Sequence, residues 1–143
     1  MLKSQDGNCL FDIELVHLDS NEHKGWIGYE LVFRDGSTHS CLKSSEELLF
    51  FENNYDPEVI VFCKGLEEVV RGAQEFVFEP IDEKDFTFKA VRSGEVCRVT
   101  ITINIDEDNC DVGKWGQGVP VQLTDLKLFS AELEQRYLRE FRP

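Results

Sequence analysis

Residues 95–105 read EVCRVTITINI, with Cys97, Val99, Ile101, Ile103 and Ile105 alternating with Arg98, Thr100, Thr102 and Asn104. Successive side chains of an extended strand point to opposite faces, so this alternation describes a strand with one dry and one wet face. The β-branched residues suit a pleated surface. Such a strand needs neighbours on its edges and a layer over its dry face. The chain is therefore expected to build a sheet around it.

The neighbours are present in the sequence. Residues 9–18, CLFDIELVHL, place Phe11, Ile13, Leu15 and His17 on one face and Asp12 and Glu14 on the other. GWIGYELVF then supplies Trp26, Ile27, Tyr29, Leu31 and Phe33, and Asp35-Gly36 is a hairpin signal, so residues 37–43 are expected to return antiparallel. Residues 75–78 and 85–91 read as further strands, the second joined to 95–105 through Ser93-Gly94. Val119, Val121 and Leu123 begin another that extends toward Phe129. Residues 45–51 fit either a helical turn capped by Ser45 or a short buried strand through Leu48-Leu49-Phe50-Phe51, the strand being preferred.

Two helices complete the pattern. Asp56-Pro57-Glu58 reads as an N-cap, a proline at the first helical position and an acid near the positive end of the helix dipole. Val59, Phe62, Cys63, Leu66, Val69, Val70 and Ala73 recur at helical spacing, and Arg71-Gly72 suits the helix end. Ser130 reads as the cap of a final helix with Leu133, Tyr137, Leu138 and Phe141 inward and Arg136, Arg139 and Arg142 toward its negative end. The expected fold is α+β: a largely antiparallel, curled sheet of about six to eight strands, one helix inserted midway at 57–72 and one C-terminal helix at 130–141. At 143 residues, 1–143 is expected to form a single domain.

Charge narrows the partners. Twenty-eight Asp and Glu against 15 Lys and Arg leave a net charge of −13, which repels nucleic acid and anionic lipid at long range. Such a field is first a solubility device, and it also accelerates encounter with a basic protein. Cys9, Cys41, Cys63, Cys97 and Cys110 are odd in number and contain no C-x-x-C, so they read as reduced thiols. The opening residues lack the apolar run of a signal peptide, and no stretch approaches the roughly 18 apolar residues of a membrane span. A reducing cytoplasm is the expected compartment.

One stretch invites a chemical reading. INIDEDNCDVGKWGQG, residues 103–118, carries Asp106, Glu107, Asp108 and Asp111 and then Trp115 among glycines. A calcium loop started at Asp106 has Asp108 at its third position, but Cys110, Asp111 and Gln117 stand where an oxygen ligand, a glycine and a glutamate belong. Loose calcium binding by Asp106, Asp108 and Asp111 stays open. No cysteine or histidine pair has zinc-ligand spacing. His17 reads as a core histidine, His23 and His39 as surface residues, and Cys97 as a small buried hydrophobe. No G-x-S-x-G elbow, no thiol in a basic setting and no phosphate loop opening a helix occurs. Carboxylate pairs in so acidic a chain carry little glycosidase signal. No catalytic, metal or cofactor site is expected. Trp115 beside four acids reads either as an exposed aromatic anchor for a basic protein or as a lid folded over the sheet edge.

The order of parts carries a resemblance. Gly25-Trp26-Ile27, DPEVIVFCKGLEEVVRGA, FVFEPIDEKDFTFKAV, GEVCRVTITINI and LFSAELEQRYLREF together resemble the WapI-type bacterial immunity proteins and related small bacterial families, over residues 8–141. The resemblance implies a non-enzymatic protein that binds and neutralises a cognate toxin domain, often a nuclease, by occlusion. It carries over no family contact residue. Local composition makes Asp106, Glu107, Asp108, Asp111 and Trp115 the candidate contact patch. The alternative is a small ligand-binding or enzymatic domain, which would require a deep pocket lined by Phe and Trp with polar groups converging inside.

Overall fold

The computed structural model describes residues 1–18, 25–36, 38–42, 48–52, 56–81, 84–104 and 111–142, without the side chains of 38, 41 and 42. Among the described residues the architecture is α+β, with two open antiparallel sheets and two helices. The expectation of one curled sheet is corrected to two sheets, of five and four strands.

The first sheet holds β1 (Leu2–Lys3), β2 (Cys9–Val16), β3 (Trp26–Asp35), β4 (Thr38–Leu42) and β5 (Leu49–Phe51). The ten-residue β3 is its spine. One edge of β3 pairs β2 from Cys9↔Asp35 to Val16↔Gly28, and the other pairs β4 over Leu31–Asp35 and β5 over Trp26–Gly28. The Asp35-Gly36 hairpin forms as expected, with Gly36 at φ +61°, a conformation that L side chains rarely adopt. Residues 49–51 are a strand, as preferred above, whereas 45–47 lie outside the described residues. The short β1 has no counterpart among the strands expected from sequence.

The second sheet has the order β6 (Glu75–Phe78), β7 (Phe86–Ser93), β8 (Val96–Ile103), β9 (Val119–Gln122). In β8, Cys97, Val99 and Ile101 are buried while Arg98 and Thr102 are exposed, so the alternation was a faithful guide. The Gln5 N–H donates to Pro120 O at 2.8 Å and ties the loop before β2 to β9.

Between the sheets in sequence runs α1 (Glu58–Arg71), and the chain closes with α2 (Leu123–Phe141). Two helix starts differ from expectation. Pro57, at φ −61° and ψ 139°, is itself the N-cap residue, so α1 begins at Glu58 and Asp56 does not cap it. The helix α2 begins at Leu123, seven residues before Ser130, because Leu123, Leu126, Phe129 and Leu133 follow a helical period once β9 has ended. Ser130 is buried within α2, and its hydroxyl donates to Cys63 O at 3.0 Å, joining the two helices. Leu138, expected inward, is exposed. At the far end of α1, Arg92 of β7 donates from Nη1 to Val69 O and Val70 O at 2.8 and 3.1 Å, satisfying carbonyls that a helix terminus leaves open.

One cluster of buried side chains joins both sheets and both helices. Phe11 of the first sheet lies 6.0 Å from Phe88 of the second and 5.9 Å from Phe129 of α2, and Phe62 of α1 meets Phe88 edge-on at 5.0 Å. Tyr29 stacks on Phe50 at 4.0 Å and meets Phe86 at 5.6 Å. The inner faces of both sheets and the apolar stripes of both helices thus share a core dominated by rings, which supply large buried areas and tilted contacts.

Candidate functional site

The acidic stretch enters the described structure at Asp111; Asp106, Glu107 and Asp108 lie outside the described residues. Asp111 is exposed, its backbone N–H donates to Ser40 Oγ of β4 at 2.9 Å, and its Oδ1 accepts the Gly113 N–H at 2.8 Å. A single 3₁₀ turn, Gly113–Gly116, follows. Asp35 seats this turn by accepting the Lys114 N–H on Oδ2 at 3.2 Å, while Cys9 Sγ donates to its Oδ1 at 3.6 Å. A Cβ on Gly113, which sits at φ +58°, would come within 2.7 Å of Asp35 Oδ2, so the close approach requires glycine. The two described carboxylates here are therefore bonded to backbone donors and shape the loop.

Trp115 folds back into the core and does not cap a sheet edge. It is fully buried, its indole Nε1–H donates to Leu10 O at 3.1 Å, and its ring lies 6.0 Å from Phe11. The exposed-anchor reading of Trp115 is overturned by that burial. Glycines on either side let the chain bring a large ring against β2 within the core, and the apolar gain of covering it exceeds what an exposed ring would retain.

The other tryptophan, Trp26, occupies the surface. Ile27, Tyr29, Leu31 and Phe33 of β3 point into the core, so Trp26, Gly28, Glu30 and Val32 point outward by alternation. Trp26 is half-buried and meets Phe51 edge-on at 5.0 Å. Glu30 stands directly opposite Glu14 of β2. Among the described residues neither glutamate makes an ion pair or side-chain hydrogen bond. Sequence reasoning placed Trp26 in a strand without using its parity. The alternation of Ile27, Tyr29, Leu31 and Phe33 held the signal that Trp26 faces out.

Other polar groups hold the fold. Glu58, 1% exposed, accepts the Phe51 N–H at 2.6 Å and the Ile81 N–H at 2.9 Å, and the buried Asp85 accepts the Tyr29 hydroxyl at 3.2 Å. Tyr137 and Arg142 both donate to Glu52 Oε1. Burial, then the Glu52 carboxylate, pushes the Tyr137 phenol up to about 12, and the bonds to Glu52 and Tyr137 raise Arg142. His17 is exposed at the end of β2 with its ring stacked on Phe141 at 4.1 Å, which corrects its reading as a core residue. His39 is exposed, as expected, and His23 lies outside the described residues.

Cys9, Cys63 and Cys97 are free and buried, and Cys41 and Cys110 fall outside what is described of side chains. Burial pushes the Cys63 thiol up to about 12 and Cys97 up to about 11, while Cys9 is raised by burial and then by Asp35. These thiols are poorly suited to nucleophilic work, which needs the thiolate. Among the described residues no group of three or more His, Cys, Asp or Glu is placed to hold a metal ion, and no helix is long and apolar enough to cross a membrane. The phenylalanine rings that would line a deep ligand pocket pack ring against ring. An open concavity of about 340 Å³ is lined by Met1, Asp12, Glu132, Gln135, Arg136 and Arg139, and Arg136 there donates to Asp12 at 3.1 Å.

Comparison with family models, with curated proteins and with solved structures finds no match to this chain.

Proposed function

We propose that this chain is a non-enzymatic, immunity-type protein that binds a basic protein, a toxin domain such as a nuclease, and neutralises it by occlusion. The observation that carries the reading is the net charge of −13 on a chain whose described polar clusters are committed to structure. A nuclease must attract phosphate and so tends to be basic; an acidic binder meets it with complementary charge, which raises the association rate and fixes orientation. Occlusion needs surface and no chemistry. The order of sequence elements described above supports the same class. The rings that a small-ligand reading would place around a pocket pack against one another in the core, Phe11 on Phe88 and Phe129, and Phe62 on Phe88.

Within this reading Asp106, Glu107, Asp108 and Asp111 supply one contact, and Trp115 acts only by shaping the loop. The test is co-purification of the tagged chain from its native host at low salt, followed by assay of the captured protein. The expected partner is basic, released by salt, and loses its toxic activity at one equivalent of this chain. Replacing the four acids by Asn or Gln should weaken binding and flatten its salt dependence. A captured partner that stays fully active when saturated, or the absence of any basic partner at low salt, refutes the reading.

A further inference from the structure

The outer face of the five-stranded sheet carries an arrangement that the fold does not need. Along β3, outward positions run Trp26, Gly28, Glu30, and their lateral neighbours are Phe51 beside Trp26, Val16 and Leu49 beside Gly28, and Glu14 beside Glu30. Like charges placed opposite each other across an antiparallel pair are destabilising. Glu14 and Glu30 nevertheless face each other without a described cation, although Asp12, one outward position along β2, is paired with Arg136. A few angstroms further on, Leu18 lies over Gly28, close enough that a Cβ there would meet Leu18 Cδ2 at 2.9 Å. The result is three successive rows on one sheet face: an aromatic pair, an apolar row and an unneutralised carboxylate pair.

The geometry points to this face as the docking surface for a segment of a basic protein with the pattern cation, apolar residue, cation. The inference rests on the reading of the chain as a binder of a basic partner, and it names the surface. Outward positions two residues apart on a strand are separated by about 6.6 Å, so Trp26 and Glu30 lie about 13 Å apart. A single arginine does not span them. An extended partner segment presents residues i, i+2 and i+4 on one side at that same spacing. Its first cation lies over the Trp26–Phe51 pair, where the ring quadrupole attracts it. Its apolar residue covers Val16, Leu18 and Leu49, and its second cation enters between Glu14 and Glu30, where charge-assisted hydrogen bonds relieve their repulsion. Aromatic anchors flanked by charge are the usual energetic centre of a protein interface.

The test is a two-dimensional ¹⁵N–¹H NMR titration of the intact protein with the capped peptide Arg-Gly-Leu-Gly-Arg. Controls are the same composition as Arg-Arg-Leu-Gly-Gly and the acidic counterpart with Glu in place of Arg. The expected result is movement of the Trp26 indole signal and of the Glu14, Gly28, Glu30 and Leu49 amides while the Trp115 indole stays fixed. The rearranged peptide should bind at least about threefold more weakly, and the acidic one not at all. Glu14→Gln with Glu30→Gln should weaken binding at least about fivefold while raising the melting temperature, a combination that loss of folding cannot produce. Shifts that follow acids elsewhere, such as Glu67, Asp125 and Glu132, with Trp26 unmoved, overturn the surface and leave the basic-partner reading standing. Binding at Trp26 by a chain that fails to neutralise any basic partner upholds the surface and removes the immunity reading.

Discussion

Glu58→Gln isolates what one buried carboxylate contributes. Glu58 begins α1, is 1% exposed, and its two oxygens accept the backbone N–H groups of Phe51 and Ile81 at 2.6 and 2.9 Å. It thereby ties the helix start to β5 and to the segment that follows β6. Glutamine keeps the shape but owns one acceptor; its amide nitrogen must face the other N–H, donor against donor. A hydrogen bond to a charged group contributes about 1.5–3 kcal/mol, and an unmatched buried donor costs about 1–3 kcal/mol. Removing negative charge from a helix N-terminus costs about a further 0.3–1 kcal/mol. The expected loss is about 2–4 kcal/mol, which at a urea slope of about 2 kcal/mol/M moves the unfolding midpoint down by about 1–2 M. Amide hydrogen exchange should accelerate first at Phe51 or Ile81, because the bond is lost there before the core opens. A midpoint unchanged within about 0.3 M, with both amides still protected, would refute the reasoning.

Two further perturbations probe the core. Gly65 of α1 is buried, and a Cβ there would lie 2.1 Å from Phe76 Cε1, so Gly65→Ala should lower the melting temperature by about 2–4 °C even though alanine favours helix; a rise would show that Phe76 moves freely. Cys63 and Cys97, both from 9.0, and Tyr137, from 10.0, are all raised in the folded chain, to about 12, 11 and 12. The native state therefore binds more protons than the unfolded one, so stability is intact below about pH 9 and falls as pH climbs toward 12. Urea titrations at pH 8, 9.5 and 10.5 should show the decline, and Cys63→Ser should reduce it; stability that holds flat across that range contradicts the burial of these groups.

What the sequence disclosed follows from the range of the interactions involved. The strand at Val96–Ile103 and the helix α1 were legible because a period of two or of 3.6 is written locally and both elements bury one continuous face. The start of α2 was obscured because Val119, Val121 and Leu123 continue a strand alternation into the first residue of the helix. Trp115 was left between an exposed anchor and a folded-back ring for a longer-range reason. Trp115 is fixed by Leu10, 105 residues away, and no local spacing encodes that contact. Glu58 read as a favourable charge at a helix start, yet its partners Phe51 and Ile81 belong to segments on either side of the helix.

Each sheet is assembled from an unbroken length of chain, β1–β5 within residues 2–51 and β6–β9 within residues 75–122, with α1 between them. The strand pairing of each sheet is therefore completed within its own length of chain. Synthesis imposes an order on this division. The first sheet leaves the ribosome before the rings that meet its inner face, Phe86, Phe88 and Phe129, exist, and Phe11, Tyr29, Phe33 and Phe50 then have only the sheet's own residues for shelter. Until α2 arrives, the nascent chain is a sticky half-sandwich, and its surplus of carboxylates keeps neighbouring copies apart during that interval.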